Sequence, residues 1–154
     1  MRTVFMGGLD PRIKCAVCVG FMTTWRDLVL DKSYTHTWMT YVPVLPNELD
    51  FPEILGLRVP LSTLVLNNED DSLFTLAEMK NADAIVRKIY DKTDAADRYQ
   101  CSFHPGPHKF DKKMQLDKLR QKEVNNLFAA ILTLESIEEC YQFFDDLCTV
   151  GEVK

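Results

Sequence analysis

Three short apolar runs do most to limit how this chain can fold. They are KCAVCVG at residues 14–20, VPLSTLVL at 59–66 and RYQCSFH at 98–104. The first two are continuously apolar rather than alternating, as strands buried on both faces must be. Between the second and third runs lies Thr75-Leu-Ala-Glu78, which has the form of a capping box. Leu76, Met79, Ala82, Ile85, Val86 and Ile89 follow it at helical spacing. Strand, helix, strand in this rhythm predicts an α/β fold: a short parallel sheet of about three strands flanked by helices.

The segments between fill in the outline. Residues 1–8 read as the end of a helix closed by Gly7-Gly8, and residues 22–30 as a short helix. Residues 31–50 are irregular and aromatic. Residues 51–57 read as one or two helical turns, with Pro52 well placed near the start. NNEDDS at 67–72 reads as a polar turn. After His108 the texture changes to dense charge. Leu116, Leu119, Val124, Leu127, Phe128 and Ile131 then repeat at helical spacing. Ser136-Ile-Glu-Glu139 is a second capping box, opening a helix that carries Ile137, Cys140, Tyr141, Phe144, Leu147 and Cys148. These two helices predict an αα-hairpin.

Composition sets the outer limits. The 154 residues suit one domain, and 46% hydrophobic with 27% charged residues marks a globular chain. A net charge of −5 argues against a general nucleic-acid footprint, which needs a basic face. No apolar run approaches a membrane span, and no secretory signal opens the chain. Five cysteines, an odd count within apolar segments, suit reduced thiols in a cytoplasmic protein. Cys15 and Cys18 match C-x-x-C. On a strand, residues three apart face opposite ways, so the pair suits neither a shared metal nor a redox site.

Two loops at the carboxyl ends of expected strands carry the chemistry. One holds Asp70 and Asp71, the other His108. Functional loops of open α/β sheets lie at that edge. A carboxylate there can accept from an imidazole, fix its tautomer and stabilise the imidazolium. Taken singly, Asp71 reads as a turn residue and His108 as a loop histidine; their order along the chain and the topology favour an acid–base pair. His104 and His108 stand at i, i+4, but Pro105-Gly106-Pro107 forbids the helix that would aim both at one metal. Cys101 and Ser102 read as strand residues without the geometry of an exposed nucleophile.

These residues also carry a resemblance. GLDPRIKCAVCVGFMTTWRDLVLDKSYTHTWMTYVP, LVLNNEDDSLFTL and FHPGPHKFD resemble, in order and spacing, the C-terminal half of an α/β-hydrolase of the dienelactone hydrolase and acetyl xylan esterase group. The resemblance covers residues 1–113. It implies a catalytic acid at Asp71, with Asp70 the second choice, and a catalytic histidine at His108. It implies no cofactor and no metal, and a small ester substrate once the site is complete. The family's serine lies in a G-x-S-x-G elbow, and the sequence contains none. Within this resemblance the chain starts just past its nucleophile, and a missing hydrolase half is an expected partner.

MQLDKLRQKEVNNLFAAILTLESIEECYQFFDDLCTVGEV, residues 114–153, resembles the opening of Trp-repressor-related proteins of the YerC/YecD type. Those are helical and continue into a DNA-reading helix-turn-helix, which is not in this sequence. The two resemblances imply a junction near residues 112–115, with a hydrolase-like unit over 1–113 and a helical hairpin over 114–154. They leave two functional expectations. One is an ester-hydrolase remnant that is inactive alone. The other is a non-catalytic protein self-associating through residues 116–148, or a truncated regulator that binds no nucleic acid.

Overall fold

The structure is a computed structural model that describes residues 1–36 and 42–109. The hairpin expected over residues 114–150 lies outside these, as do Trp38 and Tyr41 of the aromatic stretch. Three strands, β1 (Cys15–Val19), β2 (Ser62–Asn68) and β3 (Tyr99–His104), form a parallel sheet in that spatial order. Val17 stands beside Leu64, and Val65 beside Cys101. Helices α1 (Arg2–Leu9), α2 (Phe51–Gly56) and α3 (Leu76–Lys92) complete the α/β architecture that the strand rhythm predicts.

All three helices belong to one face of the sheet. Successive strand residues point to opposite faces, and Ala16, Thr63 and Tyr99 share one. Ala16 Cβ lies 3.2 Å from where a methyl group on Gly7 of α1 would stand. The Thr63 hydroxyl is 2.8 Å from the Tyr90 hydroxyl of α3, and the Tyr99 hydroxyl donates to Asp83 of α3. α2 packs between α1 and α3. The core on this side joins Val4, Cys18, Phe51, Ile54, Leu55, Val65, Met79, Val86 and Tyr90. Fully burying a side chain such as Ile54 or Phe51 contributes roughly 1.5–3 kcal/mol.

At the amino edge of the sheet, Arg58 is buried without a carboxylate partner among the hydrogen bonds of the described residues. Its guanidinium donates to carbonyls of Gly7, Ile13 and Ser62 and to the Thr63 hydroxyl, at 2.7–3.1 Å. It thereby ties the end of α1 to the starts of β1 and β2.

Four sequence expectations need correction. Gly7-Gly8 does not end α1. A methyl group on Gly8 would stand 2.0 Å from the Ile54 carbonyl oxygen, so glycine is there to let α1 and α2 approach. The second strand starts at Ser62 rather than residue 59, after a cis Val59–Pro60 bond; Pro60 has no N–H to give to a ladder. Asn67 and Asn68 are not turn residues. Both 1% exposed, they close β2 beside Phe103 and His104. The short helix expected over residues 22–30 is confined to residues 25–31, and its second part is a wide π-type turn, Asp27–Asp31.

The capping box expected at Thr75 also fails to form. Thr75 is the N-cap of α3 and makes no side-chain cap. Its hydroxyl donates to Asp27 Oδ1 at 2.9 Å, while Glu78 accepts from the Thr24 hydroxyl at 2.6 Å. A reciprocal box stands instead at the start of α2, between Asp50 and Glu53, with proline in the first turn.

Candidate active site

The carboxyl edge of the sheet gathers the residues with chemical potential. β2 runs into Glu69, Asp70 and Asp71, and β3 into Pro105-Gly106-Pro107-His108. Backbone bonds hold these loops together: Glu69 N–H donates to the His104 carbonyl at 2.7 Å and Asp70 N–H to the Gly106 carbonyl at 3.1 Å. Asp70 Oδ2 accepts from Gly106 N–H at 3.0 Å. Asp70 therefore fastens one loop to the other and does not reach the histidine.

Asp71 does. Its Oδ2 lies 2.6 Å from His108 Nδ1, and its Oδ1 accepts from Leu73 N–H at 2.9 Å. The Asp71 side chain is 1% exposed and that of His108 44%. A buried carboxylate thus holds an imidazole whose other edge meets solvent. With Nδ1–H donated to Asp71, the free Nε2 has the form that accepts a proton. Nε2 has no hydrogen-bond partner among the described residues.

The floor under this pair is aromatic. Phe21 meets Phe51 and Phe74 edge-on at 5.3 and 5.6 Å, and Trp25 stacks on Phe51 at 4.1 Å. Phe74 lies 6.3 Å from the His108 ring and 4.9 Å from that of His36. His36 was not singled out from the sequence. Its Nδ1 is 2.7 Å from the Thr35 hydroxyl. Burial lowers its pKa first, helped by the charges of the Met1 amino group and His108; Asp27 and Asp71 oppose that fall. The one available signal was its place in the aromatic-rich stretch after residue 30.

Gly20 opens the loop after β1 beside His108. It adopts φ +61°, and its N–H donates to the Leu66 carbonyl at 2.9 Å. Asp27, fully buried, braces the same region. It accepts from the Thr23 hydroxyl at 2.6 Å, from Thr75 N–H at 3.0 Å and from the Thr75 hydroxyl.

Other candidates are placed elsewhere. Cys15 and Cys18 are buried on opposite strand faces. Burial pushes the Cys18 thiol up to about 11 and raises that of Cys101 further. His104 is buried on β3 while His108 is on the exposed loop. Among the described residues no group of three His, Cys, Asp or Glu side chains could hold a metal ion. No helix among them is long and apolar enough to cross a membrane.

The parallel sheet and its helical face have the architecture of part of an α/β-hydrolase fold, and solved structures share it. A glucuronoyl esterase from Sporotrichum thermophile matches 87% of this chain and 41% of its own, with TM-score 0.58 and 17% identity. A carbohydrate esterase family 15 glucuronoyl esterase from Caldicellulosiruptor kristjansonii matches 76% of this chain and 38% of its own, with TM-score 0.57 and 14% identity. At such identities the likeness is one of fold. Over 41 residues, 27% of the chain, the sequence is 61% identical to YerC of Bacillus subtilis, described as uncharacterized, and spans 39% of that protein. The chain thus spans about two-fifths of the proteins it matches. No family model matches it.

Proposed function

We propose that this chain carries the acid and base of an esterase-type α/β-hydrolase site, in the manner of the dienelactone hydrolase and acetyl xylan esterase group, and is inactive by itself. The observation that carries this reading is the 2.6 Å contact between Asp71 Oδ2 and His108 Nδ1 at the carboxyl edge of a parallel sheet. Asp71 holds the ring with Nε2 outward. His108 would take the proton of a serine hydroxyl as it attacks an ester carbonyl, and return it to the leaving alkoxide. Asp71 stabilises the imidazolium formed between those steps.

The serine must come from outside this sequence, because no G-x-S-x-G elbow is present. Among the described residues β1 is paired on one side alone. Its free edge is where a further strand bearing that elbow would add. Within this reading the chain joins two units near residues 112–115, acts on a small ester only when completed, and works in the cytoplasm.

The test is hydrolysis of p-nitrophenyl acetate with His108→Ala as control, together with labelling by a fluorophosphonate that marks activated serines. Wild type and control should match, and no serine should be labelled. Saturable turnover that disappears in His108→Ala would overturn inactivity and direct attention to Cys101 and Ser102.

A second reading rests on the 61% identity to YerC. It makes the chain a non-catalytic protein that self-associates through residues 116–148. Duplex DNA binding at physiological salt is not expected of it, since the chain is acidic.

A further inference from the structure

We propose that Lys32 is a positioning residue for the acid–histidine pair: its ammonium grips the turn after Asp71 and so sets the carboxylate against His108. The inference rests on the reading of these two residues as an acid and a base. It starts from the backbone of residues 71–74. Glu69 and Asp70 bond through their backbones to the loop after β3, and at Thr75 the chain enters α3. Between them, among the described residues, no backbone group of residues 71–74 bonds to another backbone group. Asp71 and Phe74 are buried all the same, and buried backbone needs partners. Side chains supply them.

The outside partners come from the loop after β1. Lys32 Nζ donates to the Ser72 carbonyl at 2.9 Å. Thr35 Oγ1 stands 3.5 Å from the Leu73 carbonyl, but its one proton is better placed for the Lys32 carbonyl at 2.8 Å. Asp27 accepts from Thr75 N–H, past the turn. Among the described residues, the ammonium bond is thus the one firm hydrogen bond from outside the turn to its backbone. Lys32 is itself well anchored. Its N–H donates to the Asp27 carbonyl at 2.8 Å, and its carbonyl accepts from Thr35 N–H at 3.0 Å.

The effect on the acid follows from geometry. Asp71 Oδ1 accepts from Leu73 N–H at 2.9 Å, and Oδ2 meets His108 Nδ1 at 2.6 Å. A carboxylate is planar, so the place of one oxygen sets the direction of the other. The Ser72 carbonyl and the Leu73 N–H belong to one planar peptide group. Lys32 holds the oxygen of that group, and Asp71 Oδ1 meets its N–H. An ammonium on the carbonyl also polarises the peptide and makes its N–H a better donor. Released from Lys32, the peptide can rotate, and the N–H that aims Oδ1 moves with it.

The test reads the imidazole of the intact chain by nitrogen-15 NMR at pH 8. The hydrogen bond at Nδ1 sets the tautomer of His108. Wild type is expected to hold the Nδ1–H form, which a free histidine side chain disfavours. In Lys32→Met, which keeps the apolar stem, the Nε2–H form should appear. The Leu73 amide should then exchange with solvent about fivefold faster, the change in an opening equilibrium that one lost hydrogen bond gives. Lys32→Arg restores a cationic donor and should behave as wild type. Tm should hardly move, since this bond lies at the surface. An unchanged His108 tautomer in Lys32→Met overturns the proposal, whatever happens to Tm. So does a change that Lys32→Arg fails to repair. Absence of the Nδ1–H form from the wild type would instead sink the acid–base reading itself, and this proposal with it.

Discussion

The α-carbon of Gly20 lies against the imidazole of His108. A methyl group there would stand 2.9 Å from His108 Cε1 and 3.4 Å from Nδ1, the atom that meets Asp71. The loop after β1 thus limits where the histidine of the loop after β3 can sit. Three strand ends define one imidazole position: β2 supplies the acid, β3 the ring and β1 the stop behind it.

Gly20→Ala should therefore act twice. At φ +61° an L-residue costs about 1 kcal/mol, and the methyl group must push the ring aside. The expected loss of stability is about 1–2 kcal/mol in urea denaturation. The downfield proton NMR signal of the His108–Asp71 hydrogen bond should shift or vanish. Gly106→Ala is the comparison: its φ is +114°, but the nearest atom to its methyl group is Lys109 Cε at 3.9 Å. That variant should lose stability and keep the imidazole signal. Retention of the signal in Gly20→Ala would show that Gly20 does not position His108.

The first two strands were legible because each rests on a continuous apolar run, and the order of the three alone brings the Asp70-Asp71 loop beside the His108 loop. What stayed hidden depended on partners distant in sequence. Thr75 and Glu78 have the spacing of a capping box, yet Asp27 and Thr24, about fifty residues earlier, take both side chains. Asp50 and Glu53 have the same spacing and form the box, and Asp50 keeps it while its Oδ1 also accepts from Trp25 N–H at 2.8 Å. Asn67 and Asn68 read as a turn by residue type, but β3 extends beside them and holds them in the ladder. Asp70 and Asp71 look equivalent in sequence. The turn directs one at Gly106 N–H and the other at His108.

The buried carboxylate of Asp27 should prove one of the costlier groups to alter. It accepts three hydrogen bonds from Thr23 and Thr75, and holds the start of α3 to the loop after β1. Asp27→Asn keeps the shape but turns an N–H₂ toward donors. The expected cost is about 2–4 kcal/mol, since hydrogen bonds to a charged group are lost and a buried donor is left unpaired. Thr75→Val removes one of the three and should cost about 1–2 kcal/mol. Because the groups touch, the double variant should lose less than the two singles together, by at least about 1 kcal/mol. Simple additivity in urea titrations would show that the two do not act as a unit.

Thiol chemistry separates a buried cysteine from a nucleophile. Burial pushes the Cys18 thiol up to about 11 and raises Cys101 as well, with Asp83 adding to the rise. Both should stay unmodified by iodoacetamide at pH 8 in the native protein and react once it is denatured in urea, read by peptide mass spectrometry. The sign for stability follows. Folded pKa values above the unfolded ones mean that the unfolded chain ionises first as pH rises. The contribution is intact below the ordinary thiol range and is lost as pH climbs through about 8.5 and beyond. Cys18→Ala should therefore flatten the decline in stability above that pH. Rapid native alkylation of Cys101 would instead mark it as a reactive group and weaken the case that this chain lacks a nucleophile.

His36 should make the protein acid-sensitive. Its pKa is lowered chiefly by burial beside Phe21 and Phe74, with the Met1 amino group and His108 adding to the fall against Asp27 and Asp71. A folded pKa below the unfolded value of about 6.5 means the unfolded chain binds the proton more readily. The contribution is present above that pH and drains away as pH falls through the window between the two values. His36→Phe keeps an aromatic ring against Phe74 and removes the titration. Urea midpoints measured from pH 7.5 to pH 5 should fall with pH in the wild type. The fall should be shallower in His36→Phe, and the difference should grow as the pH drops below about 6.5. Parallel curves would mean that His36 is equally easy to protonate in the folded and unfolded chain, and that its burial against Phe74 does not hold it neutral.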